Sequence, residues 1–206
     1  MTYRLDNDDF RRGKLSNHKV FGEAMAILAG DGMLSAAFEL IHNDYLKYLN
    51  DSTALERRIR AGAAIAAGCG CNGMVAGQVA DIEAEGMAAS LELLEYIHMN
   101  KTAAMIRASV TAGAYIGGAG ETTVSAIAEY GENIGLAFQI KDDILDFKNE
   151  KEKASYPVIR GLGEACARME ELTDRAIKSV ENTEGTDTFY TNILIKMAKG
   201  LALRTV

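Results

Sequence analysis

The chain has 206 residues and a formal net charge of −7. That length suits one compact domain, and the acidic balance excludes non-specific binding to nucleic acid or an anionic membrane as its main task. Hydrophobic residues make up 48% and charged residues 25%, the proportions of a globular protein. The three cysteines, Cys69, Cys71 and Cys166, form no disulfide framework and suit a reducing compartment, so a cytoplasmic location is expected. Cys69 and Cys71 lack the second pair that a structural metal site needs, and they read as small packed residues on a helix. Neither a signal peptide nor an apolar run long enough to span a bilayer is expected.

Residues 1–19 are polar and dense in charge. Asp6-Asn-Asp-Asp-Phe-Arg-Arg-Gly-Lys14 admits two readings. It is a solvated terminal segment, or Asp6 is a metal-binding carboxylate followed by guanidiniums that grip a diphosphate, whose oxygens match arginine's planar fork. From Val20 the apolar residues Phe21, Ala24, Met25 and Leu28, then Leu34, Phe38, Ile41, Tyr45 and Leu49, recur at steps of three and four, which predicts helix. Asp51-Ser52 is cap-like and opens a further helical run through Leu55, Ile59, Ala63, Ala66, Met74 and Val79. The middle of that run is unusually small, with Gly68, Gly70, Gly73 and Gly77 among alanines. Residues so small allow close helix approach or leave a cavity beside the backbone. Helices are also predicted over 90–116, 122–148, 158–180 and 188–203. Strand-like alternation is absent, and Pro157 is the one proline. The prediction is an all-α bundle forming a single domain over 1–206.

The most informative segment is Phe138-Gln-Ile-Lys-Asp-Asp-Ile-Leu-Asp146. Gln139, Asp142 and Asp146 lie at i, i+3 and i+7 and share one helical face. Asp143 is offset from Asp142 by about 100°. Asp142 and Asp146 repel each other at i, i+4 and sit near a helix C-terminus, where the macrodipole disfavours anions. A solvated acidic face has no reason to accept both penalties. A hard divalent cation removes both, because carboxylate oxygens are its preferred ligands. Lys101-Thr102 adds a cationic donor beside a hydroxyl. His42 and His98 have no partner in the sequence that makes them catalysts and are read as structural.

Taken in order, these segments resemble the polyprenyl synthetase family, and in particular short-chain bacterial farnesyl or geranylgeranyl diphosphate synthases. Asp6 to Lys14 looks like the end of the first aspartate-rich motif with its arginine tail, and Ala29-Gly30-Asp31 continues it. Gly73-Met-Val-Ala-Gly-Gln-Val-Ala-Asp81 resembles the Gly-Gln segment, His98-Met-Asn-Lys-Thr102 the Lys-Thr helix, and Phe138 to Asp146 the second aspartate-rich motif. The resemblance implies an isoprenoid-synthase-type helical bundle, incomplete relative to the family because the upstream helices and the first motif's aspartate pair have no counterpart. It implies condensation of isopentenyl diphosphate with an allylic diphosphate to a farnesyl or geranylgeranyl product. Mg2+ would be held by Asp6, Asp142 and Asp146. Catalysis would use Asp142, Asp143, Lys101, Thr102 and Gln139, and substrate binding Arg11, Arg12, Lys101, Gln78, Phe138 and Gln139. A homodimer is implied, with no nucleic-acid partner. The alternative is a truncated or non-catalytic partner subunit of a complete synthase. A class I terpene cyclase shares the aspartate-rich chemistry but not the Arg-Arg-Gly-Lys and Lys-Thr segments.

Overall fold

The structure is a computed structural model that describes residues 8–11, 13–86, 90–147, 154–181, 183 and 187–205. Its elements in order are β1 (Phe10–Arg11), β2 (Lys14–Leu15), α1 (Asn17–Phe21), α2 (Glu23–Leu46), α3 (Ser52–Cys69), α4 (Met74–Glu83), α5 (Leu91–His98), a π turn (Met99–Ala103), α6 (Ala104–Ile116), α7 (Glu121–Asp146), α8 (Tyr156–Arg160), α9 (Leu162–Glu181) and α10 (Thr188–Leu203). The chain read from sequence as one domain resolves into two compact units, Met1–Leu55 and Glu56–Val206.

In the first unit the charged segment forms a small antiparallel hairpin, pairing Phe10 with Leu15 and Arg11 with Lys14. Sequence alternation did not announce it, because two-residue strands carry no period. The turn runs through Gly13, whose φ of 73° is a backbone region open to glycine. Lys19 Nζ reaches Asp9 Oδ1 at 2.7 Å and fastens the hairpin to α1. On α2 the three- and four-residue spacing is present as expected, yet Met33, Leu34, Phe38 and Leu40 stand well exposed.

In the second unit, packing centres on α7. One face meets α9, burying Tyr130, Ile134, Ala137 and Ile140 with Met169, Leu172, Ala176, Ile177 and Val180. The other face meets α6 and the π turn. The cap-like Asp51 acts as one, its Oδ1 accepting the Ala54 N–H at 2.9 Å; Ser90 Oγ caps α5 in the same way, accepting from the Leu93 N–H at 3.2 Å. The glycine-rich run is broken at 70–73. By length and composition alone, α2 and the span 52–83 are apolar enough to cross a bilayer, contrary to the sequence expectation.

Candidate active site

The site is built around the π turn, where one extra residue loosens the helix between α5 and α6 and carries Lys101 and Thr102. Two glycines explain its position. A Cβ on Gly77 of α4 would lie 2.1 Å from the Lys101 backbone nitrogen, and one on Gly135 of α7 would lie 2.4 Å from Ala103 Cα. The turn is gripped by bare backbone on two sides. Gly77 therefore serves close packing, the first of the two roles its segment allows. The cavity lies further along: about 460 Å³ is lined by Ala63, Ala64, Ala67 and Gly68 of α3 and by Met99, Ala104 and Ala108 across from them. The small-residue run thus plays both of its expected roles, at different positions.

Lys101 Nζ meets Asp81 Oδ2 at 2.6 Å, with both side chains about one-third exposed. Asp81 lies one turn from Gln78 on α4, on the same helical face, and Gln78 is half-buried. Thr102 is half-buried on the turn itself.

At the end of α7, Asp142 and Asp143 meet different partners. Asp142 receives the Arg204 guanidinium, which donates from Nη2 to Oδ1. Gln139 Nε2 approaches Asp142 Oδ2 at 3.4 Å. The same guanidinium lies 4.4 Å from the Phe138 ring centroid, a cation–π contact. Asp146, one turn on, is exposed. Asp143 faces inward: its Oδ2 accepts the Tyr156 N–H at 2.8 Å and lies 3.4 Å from His98 Nε2. A direct catalytic part for Asp143 is not what this geometry favours, because its carboxylate is engaged with the fold.

His98 is 5% exposed. Burial pushes its imidazole down to about 4, with Asp81 opposing the shift and Lys101 adding to it. His98 is therefore neutral at pH 7, in keeping with its structural reading.

Asp6 and Arg12 lie outside the described residues. Arg11 is exposed on the hairpin of the first unit. Among the described residues, no three carboxylate, histidine or cysteine side chains come together as a ready metal cage. A cation nevertheless suits Asp142. No basic residue of α7 lies in its last turn, and the Arg204 guanidinium already occupies that electrostatic position. Asp142 and Asp146, at i and i+4, would supply carboxylate oxygens of the kind that magnesium takes together with water and phosphate oxygens. Sequence reading left two partners out. Asp81 closes the Gly-Gln segment and could have been found from its i, i+3 spacing to Gln78. Arg204 carries no local signal, since only the fold brings it to Asp142.

Residues 5–184 match the sequence pattern described as polyprenyl synthetase. The farnesyl diphosphate synthase of Geobacillus stearothermophilus is 51% identical over 154 residues, covering 75% of this chain and 50% of that protein. The chloroplastic geranylgeranyl pyrophosphate synthase of Capsicum annuum is 40% identical over 214 residues, covering 97% of this chain and 56% of that protein. Among solved structures, an FPP/GFPP synthase from Zymomonas mobilis superposes with a TM-score of 0.84 at 32% identity, covering 95% of this chain and 67% of that one. A geranyltransferase from Helicobacter pylori gives a TM-score of 0.77 at 27% identity, covering 96% and 64%. The chain spans about half the length of the curated relatives it matches.

Proposed function

The chain belongs to the polyprenyl synthetase family, and on that premise we propose that it serves condensation of isopentenyl diphosphate with an allylic diphosphate to a farnesyl or geranylgeranyl product. The observation that carries this reading is the end of α7. Asp142 there bears a guanidinium counter-ion and stands on the helix that grips the Lys101 turn.

Asp142 and Asp146 would hold Mg2+, with Asp6 as a further ligand. When bound, that cation supplies the Lewis acidity that stabilises a departing diphosphate. Lys101 and Gln139 orient the allylic diphosphate, and Arg204 is positioned to add charge to the same group. The allylic carbon–oxygen bond breaks and releases diphosphate, the isopentenyl double bond attacks that carbon to form a carbon–carbon bond, and the released diphosphate takes up the proton lost from the new chain. Thr102 on the turn and Gln78 on α4 would face the reacting carbons. Arg11 would help hold that allylic diphosphate, and Arg12 the diphosphate of isopentenyl diphosphate, with Phe138 near its hydrocarbon part. The alanine-lined cavity between α3 and α6 suits the growing apolar chain. The exposed apolar residues of α2 favour a homodimer. The free cysteines Cys69, Cys71 and Cys166 favour a cytoplasmic setting.

The alternative reading is a truncated or non-catalytic partner subunit of a complete synthase. A product assay with radiolabelled isopentenyl diphosphate and a C10 primer separates the two. Turnover by the chain alone supports the enzyme. Product only in the presence of a full-length homologue supports the subunit. No product in either case, with the chain folded, removes the prenyl-transfer reading.

A further inference from the structure

Asp143 is the one carboxylate of its motif that joins three elements. Its Oδ2 accepts the N–H of Tyr156, the first residue of α8. That N–H has no acceptor within its own helix, because the first N–H groups of a helix never do. The same oxygen lies 3.4 Å from Nε2 of His98, the last residue of α5 before the π turn. Both partners are secluded: Tyr156 is 4% exposed, His98 is 5% exposed, and the Asp143 side chain is 19% exposed. The last turn of α7 is thereby fastened to α8 on one side and to the root of the Lys101 turn on the other.

We propose that Asp143 and His98 are positioning residues, which fix the distance between the Asp142 face of α7 and Lys101 without touching metal or substrate. This rests on the reading of Asp142 and Lys101 as the groups that hold diphosphate. The tie places a distinctive demand on the side chain. Tyr156 requires an acceptor oxygen, whereas a metal ligand at Asp142 requires a negative charge. Asparagine satisfies the first demand and fails the second.

The test compares the wild-type chain with Asp143→Asn, Asp143→Ala and Asp142→Asn. Two quantities are read: hydrogen exchange of the Tyr156 amide, and calorimetric binding of inorganic diphosphate in the presence of Mg2+. For Asp143→Asn, the Tyr156 amide is expected to stay protected and binding to stay within about threefold of wild type, since the acceptor survives. For Asp143→Ala, exchange at Tyr156 is expected to rise about tenfold or more, and binding to weaken by about 10- to 100-fold, the usual cost of losing an outer supporting group. Asp142→Asn should lose binding with Tyr156 still protected. His98→Gln, which keeps a donor near Nε2, should bind more tightly than His98→Leu. The proposal is overturned if Asp143→Asn loses binding as fully as Asp142→Asn while Tyr156 stays protected, for Asp143 would then be a direct ligand. It is equally overturned if Asp143→Ala leaves the Tyr156 amide as protected as before. A wild-type chain that binds no diphosphate with Mg2+ would contradict the functional reading instead, and the exchange comparison alone would then decide the tie.

Discussion

At the scale of single residues, the charge on Asp142 is the quantity to follow. It is balanced by Arg204, whose Nε is buried without a hydrogen-bond partner among the described residues. A cation entering at Asp142 competes with that guanidinium. A half-exposed ion pair of this kind contributes about 1 kcal/mol, so Arg204→Ala should tighten Mg2+ binding in the absence of diphosphate about fivefold. Titration calorimetry reads this, and weaker Mg2+ binding in the variant would contradict the competition. His98 gives a second expectation. Its folded pKa of about 4 lies below the ordinary 6.5, so the unfolded chain takes up its proton first on acidification. The contribution of His98 to stability is complete above pH 6.5 and is lost as pH falls towards 4. The shift corresponds to about 3 kcal/mol. Urea unfolding between pH 7 and pH 4 should show a shallower loss of stability in His98→Gln than in wild type. Parallel curves would contradict the burial argument.

At the scale of elements, the helices were legible because apolar positions recur at helical spacing, and the cap-like Asp51 marks a true start. The π turn was not legible. Met99-Asn-Lys-Thr-Ala103 has ordinary helical composition, and the irregularity is stabilised from outside, by Gly77 and Gly135 meeting its backbone. The 70–73 break is similar: a run of small residues permits either a bend or a straight helix, and packing decides. The inward turn of Asp143 followed from its 100° offset from Asp142, but its partner is a backbone N–H across 13 residues that no side-chain pattern encodes. A glycine contrast tests the clamp. Gly77→Ala forces a Cβ against the Lys101 backbone and should cost about 1–3 kcal/mol or more. Gly200→Ala, within α10 and with nothing within 4 Å of its Cβ position, should stabilise by about 0.5–1 kcal/mol. Equal effects on thermal unfolding would contradict the reading of Gly77 as a contact glycine.

At the scale of the whole molecule, the family assignment was within reach of sequence because its motifs fall in a fixed order along the chain. The order survives in the fold: α4, the π turn and α7 are consecutive packed neighbours, so Gln78, Lys101 and Gln139 belong to elements that touch. What sequence could not supply was the electrostatic closure of the site, since Arg204 lies 62 residues from Asp142 and Asp81 lies 20 from Lys101. Arg204 has no local hint of its partner, and the spacing of Asp81 to Gln78 marks Asp81 without naming Lys101. The exposed apolar side chains of α2, among them Met33 and Leu40 at 70% and 72% exposure, show the same lesson in reverse. Periodicity predicts that a helix has an apolar face, but it does not say what covers that face.

Calorimetry of inorganic diphosphate with and without Mg2+ shows whether the end of α7 holds diphosphate through a divalent cation. Wild type is expected to bind only when Mg2+ is present, and Asp142→Ala to weaken this by about 100-fold or more while remaining folded. Binding of equal strength without Mg2+, or unchanged binding in Asp142→Ala, would contradict it.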